Sequence, residues 1–341
     1  ISNFKLSYDL SEILESINKV RKSKVLVIGE SIIDRYTFVT PLGPTGKGIH
    51  SSVHKKYTED YPGGSIAVAN HIGSFVDNIT LFTGLGGNSE AENYNSFINN
   101  NLLPNITPKI FILKEAKTIV KERFVGDDLD KFFEIYHSTD GQNVSLDENI
   151  ELEEWLESNL EKFDIVVVPD YGNGFITDSM TEVISRKSKF LAINTQINSG
   201  NRGYHVVNRY NSANFITLNE PELRLARHNR EESIDDLSKI TAKILNADVI
   251  SVTQGTKGLY TYSVNQDYSF KVPALSSNVV DRVGAGDAFL SLAAICLGSG
   301  ISAEVSAFLG ATAAAIDVQI VGNRATINKI DLVKYITSLL K

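Results

Sequence analysis

The 341 residues exceed a typical domain of roughly 100–200 residues, so the chain is one large α/β domain or two smaller units. With 42% hydrophobic, 22% charged and 9% aromatic residues it can bury a sizeable core, which excludes a disordered polymer and a small scaffold held by disulfides or metal. The 33 basic against 41 acidic residues give a net charge of −8, which argues against broad contact with nucleic acid or an anionic membrane but leaves room for a compact phosphate site.

The chain opens on Ile1 and its only methionine is Met180, an opening expected of a piece of a longer product. The first ten residues lack the basic start, apolar core and cleavage site of a secretory signal. Leu10, Ile13, Leu14, Ile17 and Val20 recur at helical spacing and predict an amphipathic helix over 9–22, a leading or linker element (1–23) ahead of a domain over 24–341. KVLVIG (24–29) reads as a buried strand closed by glycine, and residues 65–76 as the helix after the Gly63-Gly64 turn. NITLFTG (78–84), DIVVVPD (164–170), KFLAIN (189–194), NFITLN (214–219) and DVISVT (248–253) repeat the theme. This alternation predicts a mostly parallel sheet with helices on both faces.

Two stretches break the alternation, 35–61 and 117–137. The second reads as strands TIVKERFV and KFFEIYH around the turn Gly126-Asp127-Asp128. Strands without an intervening helix predict a small β lid over one edge of the sheet. Helical patterns at 285–298, 302–317 and 330–340 close the chain. The apolar run 288–297 is about half the roughly 20 residues of a membrane span. Cys296 within it is the only cysteine, so neither an internal disulfide nor a cysteine zinc cage can form, and a reducing cytoplasm is the expected compartment.

VVDRVGAGDAFLSLAAICLG (279–298) carries the most chemical information. Gly284 and Gly286 leave backbone N–H groups uncovered where a helix begins, a start that attracts phosphate. Asp287 beside it could take a proton from an attacking hydroxyl while the turn holds the transferring phosphoryl group. A glycine turn followed by aspartate is also a common way to begin a helix, so context must decide. Competing motifs fail. GPTGKG (43–48) lacks the Walker spacing and a preceding strand, no H-E-x-x-H occurs among the six histidines, His50 and His54 lack a helix context, and no G-x-G-x-x-G follows KVLVIG.

Residues 24–325 resemble the PfkB, or ribokinase-like, family of carbohydrate kinases, and within it the D-glycero-D-manno-heptose 7-phosphate kinase branch. VVDRVGAGDAF (279–289) is similar to the family's second signature, and the region from Gly63-Gly64 to Gly73 to its first. GESIIDRY (29–36) looks like the end of its first strand, VVVPDYGNGFIT (166–177) like its Asp-Tyr-x-x-Gly loop, Asn219-Glu220-Pro221-Glu222 like its N-x-x-E motif, and VTQGTKG (252–258) like the loop bordering the nucleotide. The resemblance implies an α/β ribokinase-like three-layer sandwich with a mostly parallel central sheet and a small β lid from about 35–61 and 117–137. It implies ATP- and Mg²⁺-dependent phosphoryl transfer to a hydroxyl of a sugar or sugar phosphate, for activated-sugar or glycan-precursor synthesis.

By the same resemblance Asp287 is the candidate base, and the amides of Val283, Gly284, Ala285 and Gly286 form the anion hole. Asp34, Gly63, Gly64, Asn70 and Asp170 would bind the acceptor. Asn219 and Glu222 would place Mg²⁺ through water, and Asn219, Thr253, Gly255, Gly258, Val283 and Gly322 would line the ATP site. The acceptor end departs from the family. The place of a substrate-binding asparagine is Ala67, with Asn70 and His71 one turn later. Asn194-Thr195-Gln196 replaces Asp-Pro-Lys, Gly87-Asn88-Ser89 replaces a glycine and aspartate, and Val283 replaces the anion-hole threonine.

NTQINSGNRGYHVVNRY (194–210) and PLGPTGKGIH (41–50) resemble a subgroup joined to a nucleotidyltransferase-like domain, expected before Ile1. The asparagines, Gln196 and Arg202 of the first segment could bind a polyol or phosphate, or form a polar surface loop. Lys117, Lys121 and Arg123 share a face of the lid and could meet an acceptor phosphate, or be a solvated stripe. Two other readings stay open: a degenerate kinase domain serving as a binding module for the attached nucleotidyltransferase, and a nucleoside kinase, which would share the fold. A homodimer through the lid is implied; a nucleic-acid or membrane partner is not expected.

Overall fold

The computed structural model describes residues 8–44, 51–87, 89–138, 144–201 and 203–341. The chain opens with α1 (Leu10–Lys19) and β1 (Lys24–Ile28), then two long strands, β2 (Ser31–Pro44) and β3 (Ser51–Gly64). Next come α2 (Ser65–Gly73), β4 (Asn78–Gly86), α3 (Ala91–Asn101) and β5 (Ile106–Leu113), followed by β6 (Ile119–Val125) and β7 (Lys131–His137). The middle of the chain runs α4 (Leu146–Asn159), β8 (Ile165–Asp170), α5 (Asp178–Lys187), β9 (Leu191–Thr195), β10 (Phe215–Asn219), α6 (Glu220–Ala226), α7 (Ile234–Ile244) and β11 (Val249–Thr253). A hairpin of β12 (Leu259–Ser263) and β13 (Tyr268–Val272) precedes α8 (Ala285–Gly298), α9 (Ala303–Asp317) and α10 (Lys329–Leu340).

The central sheet has nine strands in the order β13-β12-β11-β10-β9-β8-β1-β4-β5. From β5 to β11 neighbours are parallel, and β12 and β13 extend the sheet antiparallel at one edge. Both faces are covered, so its central strands are continuous apolar runs rather than alternating ones. On β1, Val25 and Val27 join a core with α1, α2, α8, α9 and α10, while Leu26 and Ile28 join the opposite core with α4, α5, α6 and α7. This is the expected three-layer sandwich.

The leading helix corrects one expectation. Ile13, Ile17 and Val20 are buried in the first core beside α10, so α1 belongs to a helical layer of the sandwich instead of linking to it. An apolar helix face needs a partner, and here the partner is the far end of the chain.

The lid is a four-stranded sheet, β3-β2-β6-β7, with β2 parallel to β6 and the other pairs antiparallel. It begins at Ser31 and returns at Gly64, a few residues beyond the expected 35–61 on each side, so it grows directly out of β1 and into α2. Residues 45–50 of the 41–50 segment lie outside the described residues. From β1 the chain first adds β4 and β5 on one side and later β8 on the other. The strand order therefore reverses between β1 and β8, and the crevice beyond their carboxyl ends is where such sheets bind ligands. Among the described residues no helix is long and apolar enough to cross a membrane.

Candidate active site

The first turn of α8 opens into that crevice. Gly284 adopts φ 97° and ψ −23°, a left-handed conformation, and a Cβ there would lie 2.7 Å from Asn323 Oδ1 and 2.8 Å from Asp317 Oδ2. Only glycine fits that place without strain. No side chain caps the helix start, and a Cβ on Gly286 would meet nothing within 4 Å, so the turn faces open space with its amides uncapped. Asp287 is half-buried in this first turn, and its Oδ1 accepts a hydrogen bond of 2.9 Å from the Tyr171 hydroxyl. Burial pushes its pKa up to about 7; the Tyr171 hydrogen bond opposes this, the charge of Asp34 adds to it and Lys121 opposes it. A carboxyl so tuned beside free amides can take a proton near neutral pH.

The lid supplies the opposite wall. Strand pairing sets Asp34 beside Lys121 and Tyr36 beside Arg123. Arg123 Nη1 donates to Asp34 Oδ1 at 2.5 Å, and Asn323 Nδ2 donates to Asp34 Oδ2 at 3.1 Å. A Cβ on Gly63 would come within 2.1 Å of Asp34 Oδ2, so this glycine lets the buried carboxylate lie against the backbone. Gly64, at φ 59°, then turns the chain into α2. Lys121 is buried between the rings of Tyr136 and Tyr171, its ammonium 5.7 and 5.6 Å from their centres, and pairs with no carboxylate among the described residues. Burial lowers its pKa, against the pull of Asp34. Lys117 does not share this wall. It is exposed ahead of β6 and lines a second cavity of about 420 Å³ with Arg35 and Tyr94.

Several expected acceptor contacts face elsewhere. Asp170 is buried and accepts from Arg209 Nη1 (2.7 Å) and the Tyr210 hydroxyl (2.8 Å), with His205 Nε2 2.8 Å from its other oxygen. These partners hold its carboxylate inside the protein, so Asp170 shapes the loop after β8 without reaching the crevice. Asn70 Nδ2 donates to the Asn101 carbonyl and Asn70 Oδ1 accepts from Leu103 N, which ties α2 to the end of α3. Ala67 is buried within α2. The segment replacing Asp-Pro-Lys is a buttress: Asn198 Nδ2 donates to the Tyr171 carbonyl (2.7 Å) and Asn201 Nδ2 to the Gln196 carbonyl (2.9 Å). Gln196 lines the large cavity on the other side of Asp287 from the lid, and Arg202 and Asn88 lie outside the described residues.

Glu30 and Asp317, which carried no expectation, and His71, named only beside Asn70, complete the site. Glu30, just after β1, accepts the N–H groups of Tyr171 (3.2 Å) and Asn173 (3.0 Å), and so sets the loop that brings Tyr171 to Asp287. Burial, reinforced by the charge of Asp170, raises its pKa. Asp317 lies behind Gly284 without a hydrogen-bond partner among the described residues, and burial pushes its pKa up to about 8. His71, whose Nδ1 accepts from Ile327 N, presents Nε2 3.9 Å from Asp317, and burial brings its pKa down to about 4. Local sequence offers no signal for these, because each is defined by partners far along the chain.

On the other side a cavity of about 1590 Å³ runs from the ends of β10 and β11 to the first turn of α8, lined by Asn219, Thr253, Gly255, Gly258, Ala285 and Gly286 among others. Two expected members do not line it. The Val283 N–H is engaged by Asp281 Oδ1 at 3.2 Å, and Gly322 packs against Tyr36 with its N–H on Asp281 Oδ2 at 3.1 Å. Asn219 and Glu222 form a reciprocal cap on α6: Glu222 N donates to Asn219 Oδ1 and Asn219 N to Glu222 Oε2, both at 2.8 Å. Glu222 Oε1 accepts from Ile197 N at 3.2 Å. Glu222 is buried, and burial pushes its pKa up to about 7. Each oxygen already holds one N–H, which suits contact with a hydrated Mg²⁺ through water rather than direct ligation. Among the described residues no group of three or more His, Cys, Asp or Glu is placed to hold a metal directly.

Residues 22–330 match the family described as pfkB family carbohydrate kinase. The chain is 26% identical over 317 residues to a bifunctional protein HldE of Desulfatibacillum aliphaticivorans, covering 91% of this chain and 62% of that one. It is 26% identical over 330 residues to the HldE of Shewanella baltica, covering 94% and 64%. The chain thus spans a little under two thirds of those relatives. Phosphofructokinase-2 from Escherichia coli shares the fold with a TM-score of 0.75 at 16% identity, covering 94% of this chain and 100% of that one. Ribokinase from Thermotoga maritima does so with 0.68 at 15%, covering 92% and 99%. The chain belongs to the PfkB family of carbohydrate kinases, phosphotransferases that use ATP and an alcohol group as acceptor.

Proposed function

We propose that this chain transfers the γ-phosphoryl group of ATP to a hydroxyl of a sugar or sugar phosphate, with Asp287 as the general base. The observation that carries this reading is the Asp287 carboxyl, poised at about 7 in the uncapped first turn of α8, between the lid cations and a nucleotide-sized cavity. ATP lies in that cavity, bordered by Thr253, Gly255 and Gly258, with its terminal phosphate on the amides of Gly284, Ala285 and Gly286. The acceptor lies between the lid and the Gly63-Gly64 turn, where Arg123, Asp34 and Lys121 meet. Its hydroxyl proton passes to Asp287, its oxygen attacks phosphorus, and ADP leaves. The lid excludes the water that would otherwise hydrolyse ATP. Mg²⁺, held through water by Asn219 and Glu222, would neutralise charge on the phosphates when bound.

The HldE relatives and the unpaired Lys121 favour a heptose-phosphate-like acceptor, used to make an activated sugar. A homodimer through the lid is consistent with the half-exposed rings of Tyr57 and Phe133, stacked on Phe38 and Phe124. The test is ADP release against a panel of sugars and sugar phosphates by the parent and by Asp287→Asn. The substitution abolishes turnover and largely spares ATP binding; near-normal turnover would sink the mechanism. The buried Ala67 and the buttressing asparagines favour a second reading, a non-catalytic module for an attached nucleotidyltransferase. Bound ATP without acceptor-dependent release anywhere on the panel would support that reading instead.

A further inference from the structure

Asp281 stands three residues before Gly284 and is buried, yet its carboxylate collects donors from three parts of the chain. Oδ1 accepts from the N–H groups of Arg282 (2.7 Å) and Val283 (3.2 Å), which belong to the phosphate-facing turn itself. Oδ2 accepts from Gly322 N (3.1 Å), in the loop after α9. The remaining two donors come from the lid: the Tyr36 hydroxyl of β2 at 2.7 Å on Oδ2 and the Lys131 ammonium at the start of β7 at 3.0 Å on Oδ1. Burial alone would raise the pKa of this carboxyl; the hydrogen bonds from Tyr36 and Lys131, the charge of Lys131 and the Val283 N–H together outweigh it and hold the group below its ordinary value. Lys131 is the one full positive charge that pairs with Asp281 among the described residues.

We propose that Lys131 is a positioning residue for phosphoryl transfer: its ammonium, carried by the lid, supplies the charge with which Asp281 holds the phosphate-facing turn in shape. The inference rests on the kinase reading above. A buried carboxylate stripped of its cation is strongly disfavoured and escapes by taking up a proton or turning toward water. Either change loosens the Arg282 and Val283 amides it holds, and with them the turn that leads into Gly284. A side chain at Gly284 would meet Asn323 Oδ1 and Asp317 Oδ2, so the turn has glycine where it passes these two residues. Lys131 keeps 35% of its side chain exposed, so the contact can open with the lid, whereas Asp281 stays inside. Tyr36 reinforces the link, since its ring packs on Gly322 and lies 5.5 Å below the Arg123 guanidinium that holds Asp34. One carboxylate therefore reports the seating of the acceptor-side lid to the phosphate-side turn, and an unseated lid leaves the turn incomplete.

The test compares Lys131→Met, Lys131→Ala and Lys131→Arg with the parent chain. In Lys131→Met turnover falls roughly ten- to a hundredfold, the scale of a small misplacement of a reacting group, with ATP affinity little changed. Lys131→Arg restores most of the rate, and added ammonium or methylammonium ions raise the rate of Lys131→Ala along a saturable curve. Hydrogen exchange at the amides of residues 282–286 is faster in Lys131→Met than in the parent. A purely structural lysine would lower the melting temperature without creating ammonium-dependent turnover. Turnover of Lys131→Met within about twofold of the parent, or a loss that neither arginine nor ammonium repairs with exchange unchanged, overturns the proposal. If the parent itself turns over no acceptor, the kinase reading fails, and the exchange comparison still decides whether Lys131 holds the turn through Asp281.

Discussion

Replacing Tyr171 by Phe removes a single hydroxyl from a buried ring and leaves its packing against Ile32 and Ile119 in place. The lost contact is the 2.9 Å hydrogen bond to Asp287 Oδ1. Burial is the main reason the Asp287 pKa stands at about 7, and the Tyr171 bond pulls the other way, so its loss raises the pKa further. A hydrogen bond to a charged acceptor contributes about 1.5–3 kcal/mol, or roughly one to two pKa units. The acidic limb of kcat/KM, which reports the base in the free enzyme, then moves from near 7 to about 8–9. At pH 7 the ionised fraction drops from about a half to roughly 1–10%, so kcat/KM falls about five- to fiftyfold there while the alkaline plateau changes little. The assay is acceptor-dependent ADP release by Tyr171→Phe and parent across pH 5 to 9.5. A limb that stays put, or an equal loss at every pH, would refute the assignment of Tyr171 as the group that tunes Asp287.

Two further substitutions probe the support of the site. Gly284→Ala places a Cβ against Asn323 Oδ1 and Asp317 Oδ2 at a residue of positive φ; we expect roughly 1–2 kcal/mol of backbone strain, a lower melting temperature and a large loss of turnover, and a normal value of both would refute the geometry. Asp317→Asn addresses stability. Asp317 is buried without a hydrogen-bond partner among the described residues, and its folded pKa of about 8 stands above the ordinary value of 3.8. Between those values the folded chain holds a proton that the unfolded chain has lost, so the stabilisation is complete below the unfolded value and is lost as pH rises through the folded one, by at most about 1.4 kcal/mol per unit. The neutral amide does not titrate, so denaturation midpoints of Asp317→Asn gain on the parent from pH 5 to 8; a gap that stays constant across that range would show that Asp317 is not the titrating group.

How much of this was legible in the sequence depends on how far apart the partners lie. The helix start at Gly284-Ala285-Gly286-Asp287 and the cap at Asn219 and Glu222 are local patterns. The lid was legible from strands with no helix between them. Asp170 and Asn70 had the right chemistry for a polyol, but their partners, Arg209 and Asn101, lie 39 and 31 residues away and turn them inward. Lys131 and Asp281 are 150 residues apart, a pairing no spacing rule reveals. Strands β5 and β12 escaped for a different reason. β5 carries Pro108 and Lys109 in its middle, and β12 buries Thr261, whose hydroxyl pairs with Ser251, where an apolar run was the signal sought.

Five of the carboxyls near the crevice divide by whether a cation reaches them. Asp170 has Arg209 and Asp281 has Lys131, and both are held below their ordinary pKa. Glu222, Asp287 and Asp317 have no such partner in close contact among the described residues, and burial pushes each up. The charge of Asp287 adds to the rise at both Glu222 and Asp317. On the kinase reading a nucleotide's phosphates would bring further negative charge toward Asp287, and like charges so placed disfavour one another's ionised forms. A phosphate chain that arrives with its own cation relieves this repulsion, and a bare one adds to it. On that reading the carboxyls without a close cation would favour a nucleotide that brings its own cation, and Lys121 and Arg123 place positive charge on the lid side of Asp287.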